Sequence, residues 1–444
     1  MLALIIAPRT HTAEGFFLGR DDAGNEPGVW TLTFSQVTTW IFARSLLNAG
    51  ILGYFFGIAG ALAYTAYYGS FLTGWLIVDR LRFRHGAGNI QGYLRLAYGK
   101  TGDTLYNILI AFRLLSEVFA NLLVVGIIFG SFSEAAGDIA ILGVALLTLL
   151  YSMMGGLRAS LRTDILQMAL LGALLFLLTV FMLAHTDFSF IAMAASSPQW
   201  SSPGWTLLLV ALVQVLSYPL HDPVMMDRGF LASRSVTRKS FFRAFWMSAV
   251  CIFAFGSLGV FVGLQTSGEN EFLPGVETVF GLPVMFILSL ALLLSAASTM
   301  DSTFSSASKM IVSDMGIGQK NPTRSGRLAM LGFALFGLFL VFYGTDDLFA
   351  AVAVSGTASM FLTPVILFNI FWERQVRLWS LVATFTVAIC ASATYFLENS
   401  GKVNWIGNLT GVEHSYSKLL LVVLLVLVSG IAFYIAGLQP RAKR

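Results

Sequence analysis

About twelve stretches of this chain stay apolar for roughly 17–25 residues, the length a helix needs to cross the hydrocarbon core of a bilayer. They lie near 30–54, 57–79, 104–132, 137–155, 161–184 and 205–228 in the first half, and near 241–265, 282–311, 327–344, 347–371, 377–397 and 417–437 in the second. Backbone polar groups inside lipid must be satisfied within the chain, and runs of this length do so as helices. The expected fold class is therefore an all-α polytopic membrane protein. Composition agrees: 57% of residues are hydrophobic and 11% charged, against about 25% charged in soluble domains. The bilayer is one partner.

Charge placement sets the expected orientation. Basic residues near span ends mark the cytoplasmic side. Here Arg80, Arg82 and Arg84 follow the second span, Arg158 and Arg162 the fourth, and Arg234, Arg238, Lys239 and Arg243 the sixth. Lys320, Arg324 and Arg327 follow the eighth span, Arg374 and Arg377 the tenth, and Arg441, Lys443 and Arg444 the last. With twelve spans all of these fall on one face, while the other holds Lys402, Lys418, the acids Glu269, Glu271 and Glu277, and Trp200, Trp205 and Trp405. A plasma (inner) membrane protein with both termini cytoplasmic is expected. The net charge of +4 is spread over short clusters, so nucleic acid is not an expected partner. Cys251 and Cys390 sit within apolar segments and support neither a disulfide framework nor a thiolate metal site. Met1 to Ala7 is apolar, too short to span and followed by no cleavage motif, so it reads as the stub of an extra helix rather than a signal peptide.

The spans starting near 30, 104 and 161 recur near 205, 282 and 347, each roughly 175–185 residues later, the mark of an inverted repeat whose binding site lies at mid-membrane. The expected organisation is a stub and linker over 1–29 and a repeat core over 30–371, made of 30–184 and 205–371. Two peripheral helices and a basic tail follow over 372–444.

Three places concentrate polar chemistry in the apolar background. The opening span carries Ser35, Gln36, Thr38 and Thr39 among β-branched neighbours. That stretch is either unwound, freeing carbonyls for a cation or a cavity, or has its hydroxyls bonded back to the preceding turn. The eighth span runs Ser295-Ala-Ala-Ser-Thr-Met-Asp-Ser, and Ser295, Ser298, Thr299 and Ser302 fall on one helical face. Oxygens without thiol or imidazole suit a hard alkali cation. Small residues also pack helices closely, but packing does not explain Asp301, whose charge costs about 2.5–3.5 kcal/mol in a span. Asp164 is a second intramembrane acid, with Arg162 as a possible structural partner. In the third span Arg113 and Glu117, four apart, should pair. Arg113 is also suited to gripping a substrate carboxylate, with Asn121 one turn further in.

The run Tyr151-x-x-x-Gly-Gly-Leu-x-Ala-x-x-x-Thr-Asp-x-x-Gln167, with Ser298-Thr-x-Asp-Ser302 and Ser313-Asp314, resembles the sodium:solute symporter family of proline, pantothenate, sugar and sialic acid carriers. Asp222-Pro-Val-Met-Met-Asp-Arg228 resembles a Gln-Pro-x-x-x-x-Arg segment of that family, with Asp for Gln. The resemblance implies a LeuT-like core of five plus five inverted helices. It places a sodium ion among the carbonyls of Thr38 and Ile41 and the side chains of Ser295, Ser298 and Thr299. A second cation site would fall on Asp164, Ser298, Asp301 and Ser302, and a gating aromatic on Tyr218.

The expected function is sodium-coupled symport of a small polar solute, an amino acid or another carboxylate, by alternating access. Expected solute contacts are Gln36, Trp40, Arg113, Asn121, Tyr218 and Asp222, with sodium as coupling ion and no other cofactor. Two readings compete. Asp164, Asp222 and Asp301 could carry protons in place of sodium, or the chain could sense a solute without moving it. No triad of His, Cys and Ser and no metal-ligand spacing points to an enzyme.

Overall fold

The computed structural model describes residues 2–130, 133–266, 271–343 and 356–440. Among them the chain is helical throughout, apart from an isolated bridge between Val376 and Leu438. The helices that matter below are α1 (Val29–Trp40), α2 (Ala43–Ala66), α3 (Ile90–Gly130), α4 (Glu134–Leu183), α5 (Pro203–Gln214), α6 (Pro223–Gly229), α7 (Arg234–Thr266), α8 (Leu282–Lys309), α9 (Pro322–Tyr343), α10 (Leu378–Asn399) and α11 (Ser415–Ala436).

Among the described residues, eight helices are long and apolar enough to cross a membrane, and Pro203–Gln214 and Gly356–Phe371 are shorter apolar helices. Three of the eight are much longer than one bilayer: Ala43–Arg84 has 42 residues, Ile90–Gly130 has 41 and Glu134–Leu183 has 50, where about 20 suffice. Each bends at a glycine in a conformation L side chains rarely adopt, Gly57 (φ 60), Gly99 (φ 70) and Gly156 (φ 56). At Gly57 the backbone N–H groups opened by the bend are recapped, Ile58 donating to Ser196 Oγ at 2.8 Å and Ala59 to Ser197 Oγ at 3.1 Å. At Gly156 a Cβ would lie 2.4 Å from the Phe16 carbonyl. Dividing at Gly57 and Gly156, and counting the two shorter helices, gives the expected twelve crossings among the described residues, because the segment 90–98 before Gly99 is too short to span. The one expected at 347–371 is described from Gly356 onward. The expectations for Glu269 and for Arg441, Lys443 and Arg444 lie outside the described residues.

The closest helix pair is α2 against α7, whose backbones touch. A Cβ on Gly53 would stand 2.1 Å from the Gly256 carbonyl oxygen, and one on Gly259 2.0 Å from that of Gly50. Lipid gives no hydrophobic drive for helix association, so such small-residue contacts hold the bundle together. Helix α8 packs against α4 and α1, and α10 and α11 pack on each other at the periphery. The short helix Leu2–Ile6 lies on α4, with Leu4 and Ala7 against Tyr151, Met154 and Ala159.

Candidate functional site

The opening span is interrupted one turn later than the polar cluster suggested. Through Trp40 it is a regular helix, because the hydroxyls bond back: Thr33 donates to the Val29 carbonyl at 2.8 Å, Thr38 to Phe34 at 2.9 Å and Thr39 to Ser35 at 2.6 Å. The break comes at Ile41 (φ −87, ψ 63) and Phe42 (φ −82, ψ 161). Helix α2 then starts, with the Ala43 N–H donating to Asn121 Oδ1 at 3.2 Å. Freed carbonyls at membrane depth need donors or a cation. The Trp40 carbonyl accepts from Tyr68 Oη at 2.8 Å and Ser45 Oγ at 3.1 Å.

The remaining carbonyls face α8. Ser295 Oγ donates to the Ile41 carbonyl, and Thr299 Oγ1 lies 3.4 Å from the Thr38 carbonyl and 3.3 Å from that of Thr39. Four of the five expected first-site groups therefore converge on one junction, in which Ser295, Thr299, Thr38 and Ile41 are all buried. The fifth, Ser298, turns to the neighbouring cluster and donates to Asp164 Oδ1 at 2.9 Å.

That cluster joins the three other residues expected at a second site. Ser160 Oγ donates to Asp301 Oδ1 at 2.7 Å and lies 2.8 Å from Ser302 Oγ and 3.4 Å from Asp164 Oδ2. Thr163 Oγ1 donates to Asp301 Oδ2 at 3.0 Å, and Thr38 Oγ1 lies 3.1 Å from Asp164 Oδ1. Both carboxylates are fully buried. Arg228, also fully buried, donates through Nη2 to Ser302 Oγ at 2.9 Å and through Nε to Ser35 Oγ at 3.1 Å. Two negative groups and one positive group leave a formal deficit of one positive charge, which a monovalent cation would fill. Sequence reasoning missed the roles of Ser160, Thr163 and Arg228, while Thr39 was singled out in the polar stretch of the opening span. Two signals were present: Ser160 and Asp164 are four apart on α4, and Arg228 lies in the quoted segment after the sixth break.

Beside the break lies a cavity of about 40 Å³, room for a few waters. Its wall includes Trp40, Tyr67, Tyr218, Arg113 and Gln214. The Trp40 ring meets Tyr218 edge-on at 5.5 Å, and Tyr67 meets Tyr218 at 5.7 Å. Of the expected solute contacts, Trp40, Arg113 and Tyr218 line this cavity. Gln36, Asn121 and Asp222 do not: Asn121 caps α2, and Asp222 caps α6 by accepting from the Met225 N–H at 2.8 Å. Arg113 Nη2 pairs with Glu117 at 3.2 Å, as its spacing predicted, and with Asp222 at 3.0 Å. Among the described residues, four donors at the cavity have no partner: Trp40 Nε1, Asn48 Nδ2, Gln214 Nε2 and Arg113 Nε. The acceptor of Gln214 is already taken by Tyr67 Oη at 2.8 Å.

Below these sites a buried ion network joins α6 to α8. Lys309 Nζ is 2.8 Å from Asp227 Oδ1 and 3.1 Å from Asp314 Oδ2. Ser306 donates to Asp227 at 2.7 Å and Asn89 Nδ2 to Asp314 at 2.9 Å.

No protein-family model matches the sequence, and no curated protein matches it. Among solved structures, the chain is similar to a Na+-coupled sialic acid symporter in a substrate-bound outward-open state, with a TM-score of 0.76 at 15% identity, over 100% of this chain and 96% of that one. It is also similar to a nucleobase-cation-symport-1 family transporter, in a closed conformation with bromovinylhydantoin bound, with a TM-score of 0.60 at 14% identity, over 98% of this chain and 96% of that one. At such identities the likeness speaks for architecture. The chain is an all-α polytopic membrane protein with the LeuT-like, five-plus-five inverted-repeat fold.

Proposed function

We propose that this chain is a sodium-coupled symporter of the sodium:solute symporter kind, which moves a small acceptor-rich solute, an amino acid or another carboxylate, by alternating access. One observation carries the reading: carbonyls freed at the break after Trp40 face hydroxyls of α8, with Ser295 on Ile41 and Thr299 on Thr38 and Thr39. Oxygen donors of this kind suit a dehydrated alkali ion. A sodium ion there would tie α1 to α8, and tightening of solute binding by the ion implies equal tightening of ion binding by the solute. Each sodium charge entering across 100 mV contributes about 2.3 kcal/mol toward accumulation.

The solute class follows from the cavity. Its unpartnered groups among the described residues, Trp40 Nε1, Asn48 Nδ2, Gln214 Nε2 and Arg113 Nε, are all donors, so a ligand rich in acceptors satisfies them, and the aromatic walls cover its apolar part. Asp164, Asp301, Ser298 and Ser302 form the proposed second cation site. Cytoplasmic termini, the plasma-membrane location and repeat boundaries at 30–184 and 205–371 belong to the same proposal.

A proton-coupled reading draws on the two carboxylates, Asp164 and Asp301, that share Ser160. Proteoliposome uptake of a labelled carboxylate panel separates the two readings. Sodium coupling predicts uptake driven by an inward sodium gradient and abolished when choline replaces sodium. Uptake that follows a pH gradient and ignores that replacement would overturn it.

A further inference from the structure

On the bilayer face of the bundle, the two arms of α4 on either side of Gly156 diverge over α8 and leave a cleft of about 840 Å³. From Ala136 to Tyr151 it runs along one arm for about 22 Å at 1.5 Å per residue. Leu147, Leu170, Leu293 and Leu294 form much of its wall, and none of its lining residues is charged. Its polar residues are Thr148, Tyr151, Thr163 and Gln167. Two are committed elsewhere, since Tyr151 Oη donates to the Ala297 carbonyl at 3.0 Å and Thr163 Oγ1 to Asp301. Gln167 differs. It is 4% exposed, and its Oε1 accepts no hydrogen bond.

A buried acceptor facing hydrocarbon has no water to satisfy it, so it selects an occupant that brings a donor. The uncharged wall rejects an ammonium or a phosphate, whose burial without a counter-charge is costly. The cleft's length asks for a chain rather than a compact ring. We propose that this cleft is a binding site for a neutral long-chain alcohol, its hydroxyl donating to Gln167 Oε1 and its alkyl chain lying along α4 and α8. An occupant would touch Tyr151 and Thr163, the groups that brace α8 and Asp301. Occupancy would thus shift sodium dependence, a consequence that rests on the proposed function, whereas occupancy itself does not.

Gly143 supplies the test, because a Cβ built there meets nothing within 4 Å, so Gly143→Trp would fill the cleft and Gly143→Leu would fill part of it. The full chain in nanodiscs is photolabelled with a diazirine-bearing hexadecanol and, separately, with the matching alkane. The proposal predicts saturable labelling by the alcohol, confined to peptides spanning 136–170 and 293–297. That labelling should fall about tenfold in Gly143→Trp, fall less in Gly143→Leu, and drop in Gln167→Leu to the level of the alkane. Non-saturable labelling spread over all lipid-facing helices, labelling unchanged by both Gly143 variants, or equal labelling by alcohol and alkane in the unmodified protein would each overturn it. The readout involves neither sodium nor transport, so its failure is separable from failure of the symporter reading.

Discussion

Lys309→Met should open the side of the protein proposed as cytoplasmic. Lys309 holds Asp227 on α6 at 2.8 Å and Asp314, just beyond α8, at 3.1 Å, so one buried ammonium ties together two elements that must separate if a path opens between them. Removing one partner of a buried ion pair costs about 3–5 kcal/mol. The lower end applies here, because the stranded carboxylates keep donors: Ser306 on Asp227, and Asn89 with Gln91 on Asp314. A loss of about 3 kcal/mol from the closed state alone shifts an open–closed equilibrium by about two powers of ten. The assay starts from a background in which Cys251 and Cys390 are replaced, since both are free and Cys390 is exposed. Met226, buried beside the network, is then changed to Cys, and its labelling by an impermeant maleimide is timed from the side proposed as cytoplasmic. Labelling should accelerate at least about tenfold with Lys309→Met and stay near the parent rate with Lys309→Arg. An unchanged rate in a folded Lys309→Met protein would refute the assignment of this network as the closure.

Three further outcomes follow from the same geometry. Gly259→Ala should destabilise the purified protein by at least about 1–3 kcal/mol, seen as a lower midpoint in thermal unfolding, because its Cβ would stand 2.0 Å from the Gly50 carbonyl and force α2 and α7 apart. Gln214→Glu replaces an unpartnered donor at the cavity with a carboxylate, so the apparent affinity for a carboxylate solute should fall by about tenfold or more in uptake kinetics, while a neutral solute is less affected. Asp164→Asn removes one charge from the cluster with Asp301 and Arg228, so the sodium activation curve of uptake should become shallower by one ion.

Much of the fold was legible because membrane spans announce themselves by length and polarity. The places that needed the structure are those where one helix is really two. The bend at Gly156 fell between two expected spans and was read correctly, since Arg158 and Arg162 interrupt the apolar run there. For the opening span the sequence left two readings open, an unwound stretch at Ser35 to Thr39 or hydroxyls bonded back to the preceding turn, and the second holds. In the fold their hydroxyls satisfy the preceding turn, and the helix yields only after Trp40. The hydroxyl face of α8 was readable from three-and-four spacing within one helix. Ser160, Thr163 and Arg228 were not, because their meeting with Asp301 and Ser302 depends on how α4, α6 and α8 cross. The same applies to Asn121 and Asp222: their residue types suit solute binding, yet in the fold Asn121, within α3, accepts from the first N–H of α2, and Asp222 caps α6.

The most direct measurement is equilibrium binding of radiolabelled sodium to the purified protein, compared with Ser295→Ala and Thr299→Ala in matched choline buffer. The junction between the end of α1 and α8 predicts saturable binding that each substitution weakens by about tenfold or more, with solute tightening it in the unmodified protein. Binding of equal strength in all three proteins would place the ion elsewhere and contradict the account at its centre.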